Sequence, residues 1–151
     1  METNQRKAIQ EGEEMKAQDY LKKAHRLYEL IESLKDELAE LRVLADSIAS
    51  PVLSDLPKAP SRSTDPPYVR YVMKIVELES KIEEEIENYL TIKDEIRNAI
   101  NEVADNEERL LLRYRYINFL EWDVIAEKMH VTTRTAHRIH GAALLRVKIP
   151  E

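Results

Sequence analysis

Two stretches of the chain carry apolar residues at alternating spacings of four and three, and this repeat restricts the possible folds more than any other feature. The first stretch runs along Tyr20, Ala24, Leu27, Ile31, Leu34, Leu38, Leu41, Ala45 and Ile48. The second comprises Val72, Ile75, Glu79, Ile82, Ile86, Tyr89, Lys93, Ile96, Ile100 and Val103. A sustained 3.5-residue repeat predicts α-helices that bury a seam against a partner helix. Neither helix can bury its stripe alone, so we expect a helical hairpin, a dimer, or both.

The two repeats are separated by a segment, residues 50–67, that contains five of the six prolines among Ser, Thr and Asp. This composition predicts an extended linker, long enough for the helices to fold back antiparallel or to pair between chains. Within the second repeat, Glu79 and Lys93 interrupt the apolar seam. Such polar positions either fix the register of a coiled coil or lie at the edge of a helix with one partner.

The charge of the chain is distributed unevenly. The net charge is −6, but residues 107–151 carry eight Lys/Arg against six Asp/Glu, a net +2 that leaves −8 for the other 106 residues. Residues 132–148 contain four Lys/Arg, two His and no acid. An acidic stretch and a potential DNA-binding stretch are therefore separate in the sequence.

Three short helices are predicted at the C-terminal end, over 107–117, 121–129 and 133–145, and the last two have the spacing of a helix-turn-helix. The predicted inward-facing positions are Ile125, Ala126, Met129, Val131, Ala136 and Ile139. His130 stands where such turns often have Gly, because the backbone there frequently needs a positive φ. Histidine tolerates that conformation better than branched residues do.

The last of these helices carries the predicted DNA-binding residues. Thr132 is expected to cap the helix, and Thr133, Arg134 and Thr135 to form its first turn. With Ala136 and Ile139 buried, the exposed face would present Arg134, His137 and Arg138 to base edges, with threonines toward phosphates. Arg146 and Lys148 would add non-specific attraction to the DNA backbone. The predicted DNA-binding set is Thr132, Thr133, Arg134, Thr135, His137, Arg138, Arg146 and Lys148.

Catalytic and metal sites have little support in the sequence. Cysteine is absent, and no Gly-rich phosphate loop or nucleophile motif occurs. His130, His137 and His140 lack a carboxylate within their helix to complete a metal site, and Trp122 is more readily explained as a core residue than as a base-stacking one. No apolar run approaches the roughly 20 residues that span a bilayer. We expect a cytoplasmic protein with no enzymatic activity, no cofactor and no metal.

Residues 110–145, with the sequence LLLRYRYINFLEWDVIAEKMHVTTRTAHRIHGAALL, resemble the region 4 helix-turn-helix of sigma-70-type RNA polymerase sigma factors. Roughly from residue 17 to 147, the chain resembles small phage and prophage regulators of the RinA/ArpU type. The resemblance implies control of phage late genes at promoter DNA together with host RNA polymerase. Because no sigma region 2 is present to melt a promoter, it implies a DNA-binding activator rather than an autonomous sigma factor.

We therefore predict an all-α protein, in which a long antiparallel helical hairpin or coiled coil precedes a C-terminal helix-turn-helix like that of sigma region 4. Residues 1–16 should be flexible, 17–104 should form the hairpin with its linker at 50–67, and 105–151 should form the DNA-binding domain. The predicted function is sequence-specific regulation of transcription by a homodimer on double-stranded DNA. The competing interpretation is a coiled-coil adaptor whose C-terminal helices do not read DNA.

Overall fold

A computed structural model describes residues 1–49 and 66–150 of the protein. These residues contain no β-strand, and the prediction of an all-α fold is confirmed. Their helices are α1 (Glu2–Leu21), α2 (Lys23–Ile48), α3 (Pro67–Asn101), α4 (Asn106–Tyr116), α5 (Trp122–Met129) and α6 (Thr133–Arg146). The predicted linker lies outside the described residues except for its last two. None of the described helices has the length and apolar character needed to cross a membrane.

The chain divides into two compact units. Unit 1 comprises residues 1–27 and 89–151, and unit 2 comprises residues 28–88. The helix boundaries predicted for the C-terminal end agree with those of α4, α5 and α6 to within one residue. The unit boundaries are not those of the sequence-based division, because the first 27 residues belong with the C-terminal helices.

In unit 2 the heptad pattern predicts the buried face of α2. Ile31, Leu38 and Ala45, which lie seven residues apart, are all buried. On α3, Glu79 has a specific partner, because the Arg42 guanidinium donates a hydrogen bond to its carboxylate at 2.8 Å. Glu79, which interrupts the second apolar seam, thus forms an ion pair between α2 and α3.

Other positions of α3 depart from the predicted seam. Val72 is exposed, whereas Glu85, outside the predicted seam, is buried and lies 2.9 Å from the Lys81 ammonium one turn away. In unit 1, the Lys93 ammonium donates a hydrogen bond to the Tyr89 hydroxyl at 2.9 Å and lies 5.1 Å from the centroid of the Phe119 ring. Lys93 therefore occupies the edge of a core, one of the two alternatives that the sequence left open.

Unit 1 is built around a set of buried side chains from both ends of the chain, which we call the first cluster. It comprises Ala17, Tyr20, Leu21, Ala24, Ile96, Ala99, Ile100, Val103, Leu112, Tyr116, Ile117, Ala143, Leu144 and Val147. Tyr20 and Ala24 fit the predicted heptad, but they are buried against the C-terminal helices of this cluster. Residues 2–16, for which the sequence predicts flexibility, lie in α1.

The N-terminal end of α4 is fixed by a side-chain cap. The Asp105 carboxylate accepts a hydrogen bond from the backbone N–H of Glu108 at 2.9 Å. Glu107 and Glu108 place two acids in the first turn, where the helix dipole favours negative charge. This cap sets the start of α4, a helix that contacts both α5 and α6.

Candidate nucleic-acid interface

The start of α6 is defined by a threonine cap. Thr132 has an extended backbone (φ −76°, ψ 158°), and its hydroxyl oxygen accepts a hydrogen bond from the backbone N–H of Thr135 at 3.1 Å. The Thr132 hydroxyl also donates to the Thr135 hydroxyl oxygen at 3.0 Å. The predicted cap at Thr132 is confirmed, and both hydroxyls are engaged in holding the first turn.

The turn that precedes this cap reverses the chain within a few residues. His130 lies in the left-handed region (φ 56°, ψ 40°), and its backbone N–H is directed at the carbonyl oxygens of Ala126 and Glu127. The Val131 N–H donates to the Ala126 carbonyl at 3.0 Å. The positive φ expected at this position is confirmed, and a non-glycine residue provides it.

A second group of buried side chains fixes α6 against α5 and α4. This second cluster comprises Leu111, Ile125, Ala126, Ala136 and Ile139. Ala126 and Ala136 are buried small residues, one from each helix, which allow the two backbones to approach closely. Met129 and Val131 pack against the cluster as partly buried residues. The inward-facing positions predicted for this segment are therefore confirmed.

The opposite side of α6 faces solvent. Thr133, Arg134, His137 and Arg138 are exposed, and Thr135 is half-buried. Within residues 1–49 and 66–150, neither Arg134 nor Arg138 forms an ion pair. The first two turns of α6 thus present an imidazole and two guanidinium groups, and neither guanidinium is paired with an acid among the described residues.

The imidazole of His137 is held by an aromatic contact. Its ring centroid lies 4.2 Å from that of the Trp122 indole, with an angle of 36° between the rings. The Arg115 guanidinium lies 4.9 Å from the Trp122 ring centroid and donates a hydrogen bond to the Leu120 carbonyl at 2.9 Å. Trp122 is half-buried and packs against the second cluster, so it positions His137 while contributing to the core.

His140 is a buried residue whose partner the sequence did not reveal. Its Nε2 lies 2.6 Å from the Tyr116 hydroxyl, in a hydrogen bond between α4 and α6. Burial lowers the pKa of His140 to about 4, with smaller contributions from His137, Arg115 and Lys22, and burial raises the pKa of Tyr116 to about 12. Both groups are therefore neutral at physiological pH and hold two helices together. The burial of His140 could have been predicted from its spacing, because it lies four residues after Ala136 and so on the same buried face of α6.

Two of the predicted DNA-binding residues are at the far end of α6 and have acidic neighbours. The Arg146 guanidinium lies 3.4 Å from a carboxylate oxygen of the buried Glu108 in α4, although the geometry is that of an ion pair without a hydrogen bond. Lys148 follows the helix and is exposed, and it lines a cleft of about 350 Å³ together with Glu95 and Glu102. The structure thus brings Thr132 to Arg138 together and leaves Arg146 and Lys148 outside that group.

In the described parts of the chain, no three His, Asp or Glu side chains lie close enough together to hold a metal ion. His130 is exposed at the turn, whereas His137 and His140 contact Trp122 from different positions on α6. His137 and His140 therefore share the Trp122 ring and line one groove, and His130 is not among the residues that line it.

No curated protein and no solved structure matches the chain. One family model does match it, over residues 57–148, which include α3 to α6 and the whole candidate interface. Because this match covers more than half of the chain, the protein belongs to the family of proteins of unknown function designated DUF1492.

Proposed function

We propose that this protein is a sequence-specific regulator of transcription, which binds double-stranded DNA with α5 and α6 acting as a helix-turn-helix. The observation that carries the proposal is the exposed face of α6, where Arg134 and Arg138 lie beside a fixed His137 and no carboxylate pairs with them. Opposite charges three or four residues apart stabilise a solvated helix, and α6 contains no acid that could form such a pair with its arginines. An acid-free, capped and rigidly packed helix is better suited to an anionic partner.

The dimensions of α6 suit the major groove of DNA. A helix with its side chains is about 10–12 Å across, and the major groove is about 12 Å wide. In this arrangement Arg134 and Arg138 would donate hydrogen bonds to guanine acceptors, and His137 would contact a base edge or phosphate. Thr132 and Thr135 hold the start of the helix, which leaves Thr133 as the threonine free to reach the DNA.

The biological setting follows from the resemblance of residues 110–145 to sigma region 4 and of the chain to RinA/ArpU-type phage regulators. We propose that the protein activates phage late genes together with host RNA polymerase. Arg146 and Lys148 would contribute weak attraction to phosphates, because acids already surround them.

We further propose that two copies act together, so that two recognition helices engage one duplex. Unit 2 supports this proposal, because Val69, Val72, Met73 and Val76 are exposed on α3 at spacings of three and four. Such a stripe is typical of a helix that packs against a partner. Light scattering of the protein at micromolar concentration should give twice the chain mass of 17.7 kDa, and a monomer would contradict the homodimer.

The DNA-binding proposal is tested by fluorescence anisotropy with labelled duplexes from the genomic neighbourhood of the gene, at two salt concentrations. The full chain should bind one fragment tightly, and binding should weaken as salt is raised. An Arg134→Ala/Arg138→Ala variant should lose about 100-fold in affinity, since each base contact contributes about 1–3 kcal/mol. The matched control is Lys35→Ala/Lys74→Ala, which removes two positive charges from unit 2 and should lose far less.

The result that would contradict the proposal is a folded protein that binds no fragment, or equal losses in the two double variants. Either outcome would favour the alternative function, in which the helical protein is an adaptor that contacts RNA polymerase or another protein and does not read DNA.

A further inference from the structure

Helix α1 shares a groove with the candidate DNA-binding helix. The groove has a volume of about 450 Å³ and lies within unit 1. Glu11 and Glu14 line it from α1, and Trp122, His137 and Gly141 line it from the other side. His137 is one of the residues proposed to face DNA, so the groove borders the candidate interface.

The part of α1 that reaches this groove has no fully buried side chain before Ala17. Ala17 and Leu21 anchor α1 in the first cluster. We call residues 2–16 the arm. Ile9 and Met15 of the arm are exposed, and a side chain added at Gly12 would meet no atom within 4 Å. The arm is therefore held beside α6 mainly by the anchor at its end.

The groove-facing side of the arm is negatively charged. Within residues 1–49 and 66–150, neither Glu11 nor Glu14 forms an ion pair, and Glu14 accepts a hydrogen bond from the Gln10 amide at 3.4 Å. Their charges are thus not neutralised by the protein. Glu11 and Glu14 lie across the groove from His137. His137 belongs to α6, which also carries Arg134 and Arg138.

DNA and the arm would compete for the same space. A single helix fills the width of the major groove, so a second helix beside α6 cannot enter with it. The phosphates of the groove wall would then approach the flank of α6 where Glu11 and Glu14 lie. Like charges at such distances repel, and the repulsion weakens as salt rises.

We propose that the arm is an autoinhibitory element, whose carboxylates Glu11 and Glu14 lower the affinity of α6 for DNA. This inference rests on the proposed function, since it needs α6 to bind DNA. With the arm beside α6, the affinity for DNA is low. Neutralising the two carboxylates or displacing the arm raises that affinity. The affinity of the protein for DNA would then depend on any event that removes the two charges from the groove.

The test compares two charge-matched variants of the full chain with the parent protein. Glu11→Gln/Glu14→Gln removes both groove charges and nearly preserves helix propensity and size. Glu2→Gln/Glu13→Gln removes the same number of charges from exposed positions of the same helix that do not line the groove. Circular dichroism establishes that all three proteins are folded, and anisotropy measures their affinity for the same duplex at low salt.

We expect the groove variant to bind roughly fivefold more tightly than the parent, and the control less than twofold more tightly. The difference should disappear at about 0.5 M salt, where screening acts over a few ångströms. Equal affinities of the parent and the groove variant would overturn the autoinhibition while leaving DNA binding intact. Equal gains in both variants would also overturn it, since the effect would then be one of net charge. Absence of binding by all three proteins would overturn the proposed function and this inference with it.

Discussion

The two halves of α6 differ in what surrounds them. In the first half, Arg134 and Arg138 are exposed and have no acidic partner among the described residues. In the second half, Leu144 is buried in the first cluster and Arg146 lies beside the buried Glu108. One helix thus combines a part that is anchored with a part that is presented to solvent. Substitutions of the buried residues in the second half should change stability, and those of the exposed arginines in the first half should change binding.

The largest effect is expected from a pair of adjacent leucines in the anchored half. Leu144 is 4% exposed and Leu145 is 39% exposed. Leu144→Ala should lower the free energy of unfolding by about 3 kcal/mol, because it leaves a cavity in a packed core. Leu145→Ala should lower it by less than about 1 kcal/mol, since it removes partly hydrated surface. Urea denaturation of both variants measures this difference, and similar losses would contradict the assignment of the buried face.

The second effect concerns His140 and depends on pH. Because burial lowers its pKa from 6.5 to about 4, the unfolded chain binds more protons than the folded protein between these pH values. The free energy of unfolding should therefore fall by roughly 2–3 kcal/mol as the pH is lowered from about 6.5 to about 4. Above pH 6.5 His140 is mainly neutral in both the folded and the unfolded chain, so this loss of stability is absent.

Urea denaturation at a series of pH values tests this prediction. His140→Gln should remove most of the slope between pH 6.5 and 4, whereas His137→Gln, in the exposed half, should retain it. A slope that is unchanged in His140→Gln would show that other groups cause the loss of stability at low pH.

Local features of α6 were predictable from the sequence, because they depend on neighbouring residues. Thr132 caps the helix through an N–H three residues away, and the left-handed His130 is set by the turn next to it. The spacing of Ala136 and Ile139 showed which face is buried. Each of these features involves residues within a few positions of one another, where backbone geometry restricts the outcome.

Partners distant in the chain were not predictable. Tyr20 and Ala24 satisfy a heptad seam and also a core with the C-terminal helices, and periodicity gives the buried face without naming what covers it. His140 meets Tyr116 across 24 residues, and Arg146 meets Glu108 of another helix. Such pairs follow from how helices pack, which a single sequence does not specify. The position of Glu11 and Glu14 beside α6 was not predictable for the same reason.

A smaller effect is expected when the two halves of α6 are compared by how much an arginine in each contributes to DNA affinity. Arg134→Ala in the exposed half should weaken binding to the preferred duplex about 30-fold, equivalent to about 2 kcal/mol, and should weaken binding to random duplex much less. Arg146→Ala should weaken both by less than threefold, because Glu108 already offsets its charge. Anisotropy titrations with both duplexes measure these ratios. Equal losses on specific and random DNA in Arg134→Ala would exclude Arg134 as a base-reading residue.

The smallest effect distinguishes two neighbouring threonines at the start of the exposed half. Thr132→Ala removes the oxygen that accepts the Thr135 N–H, and should lower the free energy of unfolding by about 1 kcal/mol. Thr133→Ala removes an exposed side chain within the first turn, and should change stability by less than about 0.5 kcal/mol. Urea denaturation gives both values. When affinities are corrected for the fraction of folded protein, Thr133→Ala should weaken DNA binding more than Thr132→Ala does. If Thr133→Ala were the more destabilising, the helix would begin one residue later than Thr133, and the orientation of Arg134 toward solvent would have to be revised.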